Sequence, residues 1–369
     1  MVLRVEIAVV GLGAAGAAAL WNLARMGRDV IGIDQFEAPH DRGSSHGQTR
    51  LLRVAYAEGE QYVPLVRRSI ALWRELEKET GQDIFHQTGV FYAGPQGNEF
   101  VVSSRASAAR HSVRLDVNAS QNRMSVPDTW TSFVEEEGGF VESDRAMRGF
   151  IAQAQQAGAR LHLNSRVRAI SVRDNGVEIS VGGETIFADK IVVATGGWAL
   201  ELLPELARHL WVERRVLHWF DDLTGDYSLK AGFKPFIIDT HDGSAFYGFP
   251  AIDETGIKVA DHTSGGEVAT LDNLRREVST EDVAAITALT RRFLPALSQP
   301  RRSVVCPYPM SADGHFIVDV MPSSLRVVVG VGLCGHGFKF APAIGEALAL
   351  LALGRGSATD IGFLSANRF

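Results

Sequence analysis

Residues 7–16 read IAVVGLGAAG, which predicts a strand followed by a glycine turn. It opens with an apolar, β-branched run, which is typical of a buried parallel strand. Gly11, Gly13 and Gly16 then follow at the G-x-G-x-x-G spacing. In that pattern the first glycine allows a tight turn, the second lets the backbone approach a pyrophosphate, and the third lets the helix pack close to the sheet.

The residues after the glycines complete a strand–helix–strand unit. Helix-compatible residues run from 14 to 26, Gly27 is the predicted helix stop, and residues 30–33 form a second strand that leads to Asp34. The helix N-terminus offers free N–H groups to phosphates, and Asp34 lies at the spacing of an acid that binds ribose hydroxyls. Its charge argues against a 2′-phosphate. The unit predicts a dinucleotide site but does not separate FAD from NAD; a Gly/Ala-rich helix packed tightly on a strand is the competing interpretation.

A second glycine-rich motif lies near the C-terminus. Residues 306–308 read CPY, and residues 332–340 read GLCGHGFKF. Gly335 and Gly337 allow a backbone to approach a planar ligand closely, and the helix predicted over 342–353 directs its N-terminus to the same region. The motifs at the two ends of the chain therefore predict one shared ligand, a flavin dinucleotide.

Composition limits the classes of partner. The chain has 369 residues, of which 46% are apolar, so it can bury a large core and two domains are expected. A net charge of -6 argues against a nucleic-acid or anionic-membrane partner. The sequence contains no uninterrupted run of about 18 apolar residues, so no membrane-spanning helix is expected. Two cysteines, Cys306 and Cys334, do not make a disulfide framework, although their pairing is an open alternative. We expect a cytoplasmic protein without a metal site.

The rhythm of strands and helices predicts an α/β protein with a discontinuous, Rossmann-like nucleotide domain. This domain is assigned to residues 1–86, 143–210 and 301–369. Residues 87–142 and 211–300 lack the βαβ rhythm and are assigned to a substrate domain with a mainly antiparallel sheet.

Local signals place several elements within this division. Leucines and a tryptophan at helical spacing predict a helix over 62–79, and Ser143 is the predicted N-cap of another helix. An amphipathic helix is predicted over 281–293. Residues 87–130 are predicted to contain only short strands and loops.

Beyond these patterns, the whole chain resembles the monomeric sarcosine oxidase and N-methyltryptophan oxidase group of covalent flavoprotein amine oxidases. Each motif lies in the expected order, which makes the set far more specific than any one member. The motifs are GSSHGQTRLLR (43–53), AYAEGEQYVPL (55–65), TGV (88–90), FYGFP (246–250), IKVADH (257–262), CPY (306–308), HFIVD (315–319) and CGHGFKF (334–340).

The resemblance implies a covalently bound FAD. Cys306 corresponds to the cysteine that carries the flavin through a thioether to its 8α carbon, whereas a lone buried cysteine is the competing interpretation. His46, Thr49 and Arg50 lie in a loop that passes the flavin ring in this family. The implied cofactor-binding residues are Gly11, Gly13, Gly16, Asp34, His46, Thr49, Val167, Gly196, Trp198, Cys306, Gly335, Gly337 and Lys339.

The resemblance also implies how a substrate is bound. Arg53 and Lys339 correspond to a pair that grips the substrate carboxylate, and two converging cations suit charge-assisted bonds to it. The alternatives are an ordinary ion pair of Arg53 with Glu58 or Glu60, and a solvated loop lysine at Lys339.

The remaining catalytic residues are implied by the same motifs. Lys258 corresponds to a lysine that promotes the reaction of reduced flavin with oxygen through a bound water, and its alternative is a strand lysine that points to solvent. Arg50 is expected near the flavin ring. His262, Tyr247 and Tyr308 are expected near the substrate amine, although a lone histidine is more often structural.

A few residues depart from the family pattern. Ser45 and Gln48 stand where His and Asp are expected, Ile238 stands where sarcosine oxidase has a pocket methionine, and Cys334 stands where the family usually has serine. These departures bear on substrate choice rather than on the class of reaction.

The expected activity is oxidation of an N-methyl or other secondary α-amino acid by FAD, with O₂ as acceptor, in a monomeric enzyme. Four alternatives stay open at this point. They are an oxidase of a cyclic imino acid or a sugar-modified amino acid, a flavin dehydrogenase with another acceptor, a flavin- and tRNA-binding modification protein, and a purely structural nucleotide-binding module. The acidic charge balance argues against the tRNA-binding protein, and the basic pair near the predicted flavin argues against the structural module.

Overall fold

The fold is described from a computed structural model of the chain. The structure describes residues 3–120, 123–240, 244–263, 266–268 and 270–369. In these residues the strands, in chain order, are β1 Leu3–Val10, β2 Val30–Ile33, β3 Thr49–Leu52, β4 Phe85–His86, β5 Val90–Pro95, β6 Leu115–Asp116, β7 Trp130–Glu135, β8 Gly139–Glu142, β9 Arg160–His162, β10 Val167–Arg173, β11 Gly176–Val181, β12 Glu184–Val193, β13 Leu210–Phe220, β14 Phe236–Asp239, β15 Ala245–Phe249, β16 Ile257–Asp261, β17 Glu267–Val268, β18 Pro300–Ser311, β19 Ile317–Val320 and β20 Val327–Val331. The α-helices are α1 Ala14–Arg25, α2 Tyr62–Thr80, α3 Glu99–Arg110, α4 Ser143–Gln156, α5 Ala199–Leu202, α6 Thr280–Phe293 and α7 Ala341–Ala352.

The first sheet is built around parallel strands. β1 pairs in parallel with β2 and β12, β2 pairs in parallel with β9, and β20 pairs in parallel with the end of β12. The antiparallel strands β10, β11 and β19 extend this sheet. Its strands come from the beginning, the middle and the end of the chain, so the predicted α/β class with a discontinuous Rossmann-like sheet is confirmed.

Helix α1 is buried on almost every side, which explains its Ala- and Gly-rich sequence. It packs between the first sheet and α7. At Gly345 of α7 an added Cβ would lie 2.5 Å from the Cβ and backbone carbon of Ala18, so only a glycine lets the two helices approach this closely. The predicted start of α1 at Ala14 is observed, and the helix ends one residue before the predicted Met26.

The second sheet is mainly antiparallel. Its strand order is β17-β13-β16-β15-β14-β5-β7-β6, and β18 also pairs with β13. Among the described residues, β14 and β5 form the one parallel pair in this order. Residues 301–311, which the sequence predicts to belong to the nucleotide domain, lie in β18 and pair with β13 in this sheet. A small third sheet, β3-β8-β4, lies between the elements that carry the site.

Two local predictions are wrong. Residues 87–130 contain the helix α3, whose N-cap Asn98 accepts a hydrogen bond from Val101 N at 3.2 Å; its valines and serines hide the helical period. Ser143 is the first residue of α4 rather than its N-cap, and its side chain makes no capping bond. The reason is that β8 stays paired with β3 as far as Glu142, so the helix begins directly after the strand.

Candidate active site

The glycine turn after β1 has the geometry that its sequence predicts. Gly11 has a φ of +87°, and a Cβ there would lie 2.6 Å from Ala194 O. A Cβ on Gly16 would lie 1.8 Å from Gly11 O, so α1 can start this close to the turn only with glycine. At Gly13 the nearest atom to an added Cβ is Ser45 Oγ at 3.5 Å, which leaves space above the helix N-terminus.

Asp34 is buried at the end of β2 and holds the turn together. Its carboxylate accepts hydrogen bonds from Leu12 N at 2.7 Å and from Phe36 N at 3.0 Å, and His40 Nε2 lies 3.4 Å from Oδ1. The acid is therefore fixed at the carboxyl end of the sheet, where open α/β sheets bind nucleotides.

A cavity begins at this turn. It crosses the carboxyl ends of the parallel strands and reaches the loop before α7. Among the predicted site residues, the cavity is lined by Gly11, Gly13, Asp34, Arg50, Val167, Gly196, Trp198, Tyr308, Gly335 and Gly337. Gly16, His46, Thr49, Cys306 and Lys339 are not part of its wall. Both glycine motifs thus face one space, as their shared ligand requires.

Several buried polar atoms have no hydrogen-bond partner within the described residues. They include His46 Nε2, Thr49 Oγ1, Thr195 Oγ1 and Trp198 Nε1. Buried polar atoms in folded proteins are nearly always paired, so these atoms suit a ligand with many polar groups. Burial, together with Arg50, lowers the pKa of His46 to about 3, which makes its ring neutral at pH 7.

Arg50 and Cys306 lie side by side. Arg50 Nη2 is 3.9 Å from Cys306 Sγ and donates to Ser44 O at 2.7 Å, and it also contacts His46 O. The arginine therefore fixes the loop 43–49 against strand β18. Cys306 is a buried free thiol whose pKa is raised by burial, although Arg50 and Lys258 oppose that effect.

Lys258 is buried, which excludes the solvent-facing alternative. Its Nζ donates to Gly47 O at 2.7 Å and to Thr49 O at 2.5 Å, and it lies 4.4 Å from the centre of the Phe249 ring. Burial, with a contribution from Arg50, holds the pKa of Lys258 well below its usual value.

Arg53 and Lys339 converge on one aromatic ring. The Arg53 guanidinium carbon lies 4.9 Å from the centre of the Tyr56 ring, and Lys339 Nζ lies 5.0 Å from the same point. Both cations are buried. Burial and the charge of Arg53 lower the pKa of Lys339 well below its usual value, and an anion between the two cations would reverse that effect.

The ion pair that was the alternative for Arg53 is present. Arg53 Nη2 contacts Glu58 Oε1, whereas Glu60 pairs with Arg110 instead. Arg53 Nη1 and Glu58 Oε2 are buried without a partner among the described residues. The Nη1 group of Arg53 can therefore donate a hydrogen bond to a ligand.

A chain of hydrogen bonds holds Lys339. Its Nζ donates to His336 O at 2.6 Å and to the Tyr56 hydroxyl at 3.3 Å, and that hydroxyl lies 2.6 Å from His336 Nδ1. His336 Nε2 faces Gly314 O at 3.3 Å, so the proton lies on Nε2 and Tyr56 donates to Nδ1. Sequence reasoning assigned no role to Tyr56 or His336, although both stand in the quoted motifs, because their partners are hundreds of residues apart.

The predicted amine-side residues form an aromatic pocket. The hydroxyls of Tyr247 and Tyr308 are 3.1 Å apart, and the His262 ring centre lies 5.4 Å from that of Tyr308. Burial lowers the pKa of His262 to about 4, so its ring is neutral at pH 7. Gly335 packs on this pocket: a Cβ there would lie 2.1 Å from the Tyr308 ring.

These features define a class of protein. A cavity at the carboxyl ends of a parallel sheet, with both glycine motifs and Tyr308 in its wall, is typical of a dinucleotide-dependent oxidoreductase. Residues 6–351 match the family model described as FAD dependent oxidoreductase, and the chain belongs to this family. The predicted FAD dependence and enzyme class are thereby confirmed.

Individual relatives agree with the family. The monomeric sarcosine oxidase of Bacillus sp. (strain B-0618) is 35% identical over 98% of this chain and 96% of its own length. The N-methyl-L-tryptophan oxidase of Yersinia pestis (strain Pestoides F) is 36% identical over 99% of both chains. A mutant of NikD, an unusual amino acid oxidase essential for nikkomycin biosynthesis, has a TM-score of 0.87 at 21% identity, with 98% and 97% of the two chains covered, which shows the shared fold.

Within the described ranges, no helix is both long and apolar enough to span a membrane. The same residues contain no cluster of three or more His, Cys, Asp or Glu side chains that could hold a metal ion.

Proposed function

We propose that the protein is an FAD-dependent oxidase of N-methyl or other secondary α-amino acids that uses O₂ as its electron acceptor. The observation that carries this proposal is the pair of buried cations, Arg53 and Lys339, which lie 4.9 Å and 5.0 Å from the centre of the Tyr56 ring. Glu58 supplies one negative charge beside these two buried cations, and a substrate carboxylate supplies a second. The names of the two curated relatives, a sarcosine oxidase and an N-methyl-L-tryptophan oxidase, support the same substrate class.

The site has the groups that FAD requires. The glycine turn and the α1 N-terminus suit the pyrophosphate, and Asp34 suits the ribose. Thr49 Oγ1 and Trp198 Nε1 are buried polar atoms that can bond to the rest of the molecule. Bound FAD supplies a two-electron acceptor that takes a hydride and later passes the electrons to O₂.

In this proposal the substrate carboxylate binds between Arg53 and Lys339. It takes the free Nη1 of Arg53 and competes with Glu58 for the rest of the guanidinium. Charge-assisted bonds of this kind are about twice as strong as neutral ones. They orient the substrate so that its N–CH₃ carbon or α-carbon faces the cofactor, which is a positioning effect.

The amine must lose its proton before it can give up a hydride. An aliphatic amine has a pKa of about 10, so neutralising it at pH 7 costs roughly 4 kcal/mol. The pocket favours the neutral amine because the nearby cations repel an ammonium group. The paired hydroxyls of Tyr247 and Tyr308 offer the amine nitrogen hydrogen bonds.

The reaction balances with water and oxygen alone. Hydride loss from the N–CH₃ carbon and loss of the N–H proton turn the C–N bond into an imine. Water then hydrolyses the imine to formaldehyde and the primary amino acid, and O₂ takes the two electrons and two protons to become hydrogen peroxide. Lys258 is assigned to the oxygen step because a cation stabilises developing superoxide.

We further propose that Cys306 carries the flavin covalently. The thiol lies beside Arg50 in the strand that borders the cavity, and the CPY motif supports the assignment. Protein precipitated with acid should stay yellow in the wild type and in Cys334→Ser, whereas Cys306→Ser should release its flavin into the supernatant. Cys334 is the matched control because it is also buried and free. Release of flavin from all three proteins would contradict attachment.

The domain division stays a proposal, with the substrate domain extended through β18 because that strand pairs with β13. We also propose a monomer in the cytoplasm. Two free cysteines suit a reducing compartment, and the Bacillus relative is named as monomeric. Gel filtration of the holoenzyme at micromolar concentration tests the first point: a single species near 40.1 kDa is expected, and a dimer would contradict it.

Peroxide formation tests the substrate class. Sarcosine and N-methyl-L-tryptophan should each be compared with their neutral amides, which lack the carboxylate charge. We expect peroxide from at least one of the acids and a kcat/KM at least about 100-fold lower for its amide, because a charged partner of the buried cations is lost. Equal rates for acid and amide would contradict the carboxylate site. Activity with L-proline alone would favour the cyclic imino acid alternative, and dye reduction without peroxide would favour a dehydrogenase.

A further inference from the structure

We propose that Glu135 is a positioning residue that holds Arg53 in its place at the carboxylate site. This inference rests on the proposed function, since it concerns how the substrate carboxylate is bound. Glu135 is the last residue of β7 and is fully buried. It belongs to none of the motifs through which the chain resembles its family, and it does not line the nucleotide cavity.

The Glu135 carboxylate accepts three hydrogen bonds. Oε1 accepts from Val54 N at 2.7 Å, and Oε2 accepts from Ala55 N at 3.0 Å and from the Tyr92 hydroxyl at 2.6 Å. Val54 and Ala55 are the two residues that follow Arg53 in the chain. One buried side chain therefore binds the backbone directly after Arg53.

This support replaces a strand ladder. The pairing of β3 with β8 ends at Leu52, opposite Gly139, so the chain leaves the sheet immediately before Arg53. The backbone N–H groups of Val54 and Ala55 then donate to Glu135 instead of to a neighbouring strand. Gly138 allows this close approach, because a Cβ there would lie 2.6 Å from Leu52 O and 2.8 Å from Glu135 Oε1.

Charge and position act in opposite directions at this residue, which makes the role of Glu135 testable. A carboxylate at Glu135 repels an anionic ligand at the site, so its neutralisation alone should tighten the binding of that ligand. Loss of the backbone support should weaken binding, because Arg53 no longer presents its free Nη1 at a fixed position. The sign of the change in affinity therefore separates the two effects.

Glutamine is the informative replacement. Glu135→Gln keeps the shape of the side chain, but its NH₂ group must face either Val54 N or the donors on the Oε2 side, whichever way the amide turns. A buried donor then faces another donor, and the backbone next to Arg53 has to shift.

The test measures ligand binding to the holoenzyme through the visible spectrum of its flavin. The probes are acetate and its neutral counterpart acetamide. For Glu135→Gln we expect the Kd of acetate to rise about tenfold while the Kd of acetamide changes by less than about twofold. With substrate, KM should rise about as much as the acetate Kd while kcat changes little, which is the pattern of a lost binding interaction. Glu136→Gln is the matched control, since Glu136 is exposed and pairs with Arg114 at 3.3 Å.

Other outcomes decide against the proposal. Acetate that binds as tightly as in the wild type, or more tightly, would overturn it, and so would equal weakening of acetate and acetamide. If Glu135→Gln yields no folded holoenzyme, Tyr92→Phe takes its place: it removes one donor to Oε2, and acetate alone should then weaken by about threefold. Arg53→Met separates a failure of the carboxylate site from a failure of the positioning role of Glu135. If that variant loses acetate affinity and the Glu135 and Tyr92 variants do not, the carboxylate site stands and the positioning role fails.

Discussion

Replacing Arg53 by methionine should raise the KM for the amino acid substrate by about 100-fold or more and leave the flavin bound. Removing one partner of a buried, charged hydrogen bond costs about 2–5 kcal/mol, and about 2.8 kcal/mol corresponds to a factor of 100. The flavin should stay because Arg53 does not line the nucleotide cavity. Steady-state kinetics with the best substrate of the panel, together with the flavin-to-protein absorbance ratio, measure both quantities.

Glu58 complicates this variant, and a second substitution resolves the problem. In Arg53→Met the Glu58 carboxylate loses its partner and repels the incoming substrate, which by itself raises KM. The double variant Arg53→Met, Glu58→Gln removes that repulsion. We expect KM to stay at least about 30-fold above the wild type in the double variant, because Lys339 alone cannot form the two-pronged bond that a guanidinium makes with a carboxylate. A double variant with wild-type KM would show that Arg53 does not bind the substrate.

Replacing Lys258 by methionine should slow the reaction with oxygen by about 1000-fold and leave reduction by the substrate nearly unchanged. A fixed cation in a water-excluded site contributes on the order of 3–4 kcal/mol when charge develops beside it. The fold should tolerate the change, because methionine fits among the aromatic rings of Phe249 and Trp219. Both carbonyls bound by Lys258 keep a second donor: Arg50 Nη1 bonds to Thr49 O, and Thr49 N bonds to Gly47 O.

Stopped-flow kinetics separate the two half-reactions of this variant. Lys230→Met, a substitution of an exposed lysine, is the matched control. The pH dependence gives a further check. Lys258 is charged below its pKa, and burial lowers that pKa, so the oxygen rate of the wild type should fall as pH rises, at a lower pH than for a free lysine. The variant should lose this dependence. A variant that reacts with oxygen at the wild-type rate would remove Lys258 from the mechanism.

The nucleotide half of the site was predictable because its signals are local. The turn needs Gly11 at a positive φ and Gly16 where any Cβ would meet Gly11 O, so the physics of a few neighbouring residues fixes the sequence. Asp34 follows at a spacing set by one helix and two strands. The resemblance to the family predicts the substrate half of the site, which includes the cations Arg53 and Lys339 and the pair Tyr247 and Tyr308.

What the sequence could not predict depends on contacts between distant segments. Nothing near Arg53 indicates that Glu135, 81 residues away from Val54, supports its backbone. Nothing near Lys339 indicates that it and Arg53 both lie close to the Tyr56 ring. Helix α3 was missed for a different reason: its period is weak, and packing rather than local propensity decides its structure.

Anaerobic titration of the purified protein tests whether a flavin lies beside two cations that hold a small acid. Sarcosine, N-methyl-L-tryptophan and L-proline are added in turn while the visible spectrum is recorded. The protein should be yellow, at least one of the three should bleach it, and admission of air should restore the colour with one hydrogen peroxide per flavin. A colourless protein that takes up no FAD on incubation, or a yellow protein that none of the three bleaches, would contradict the account.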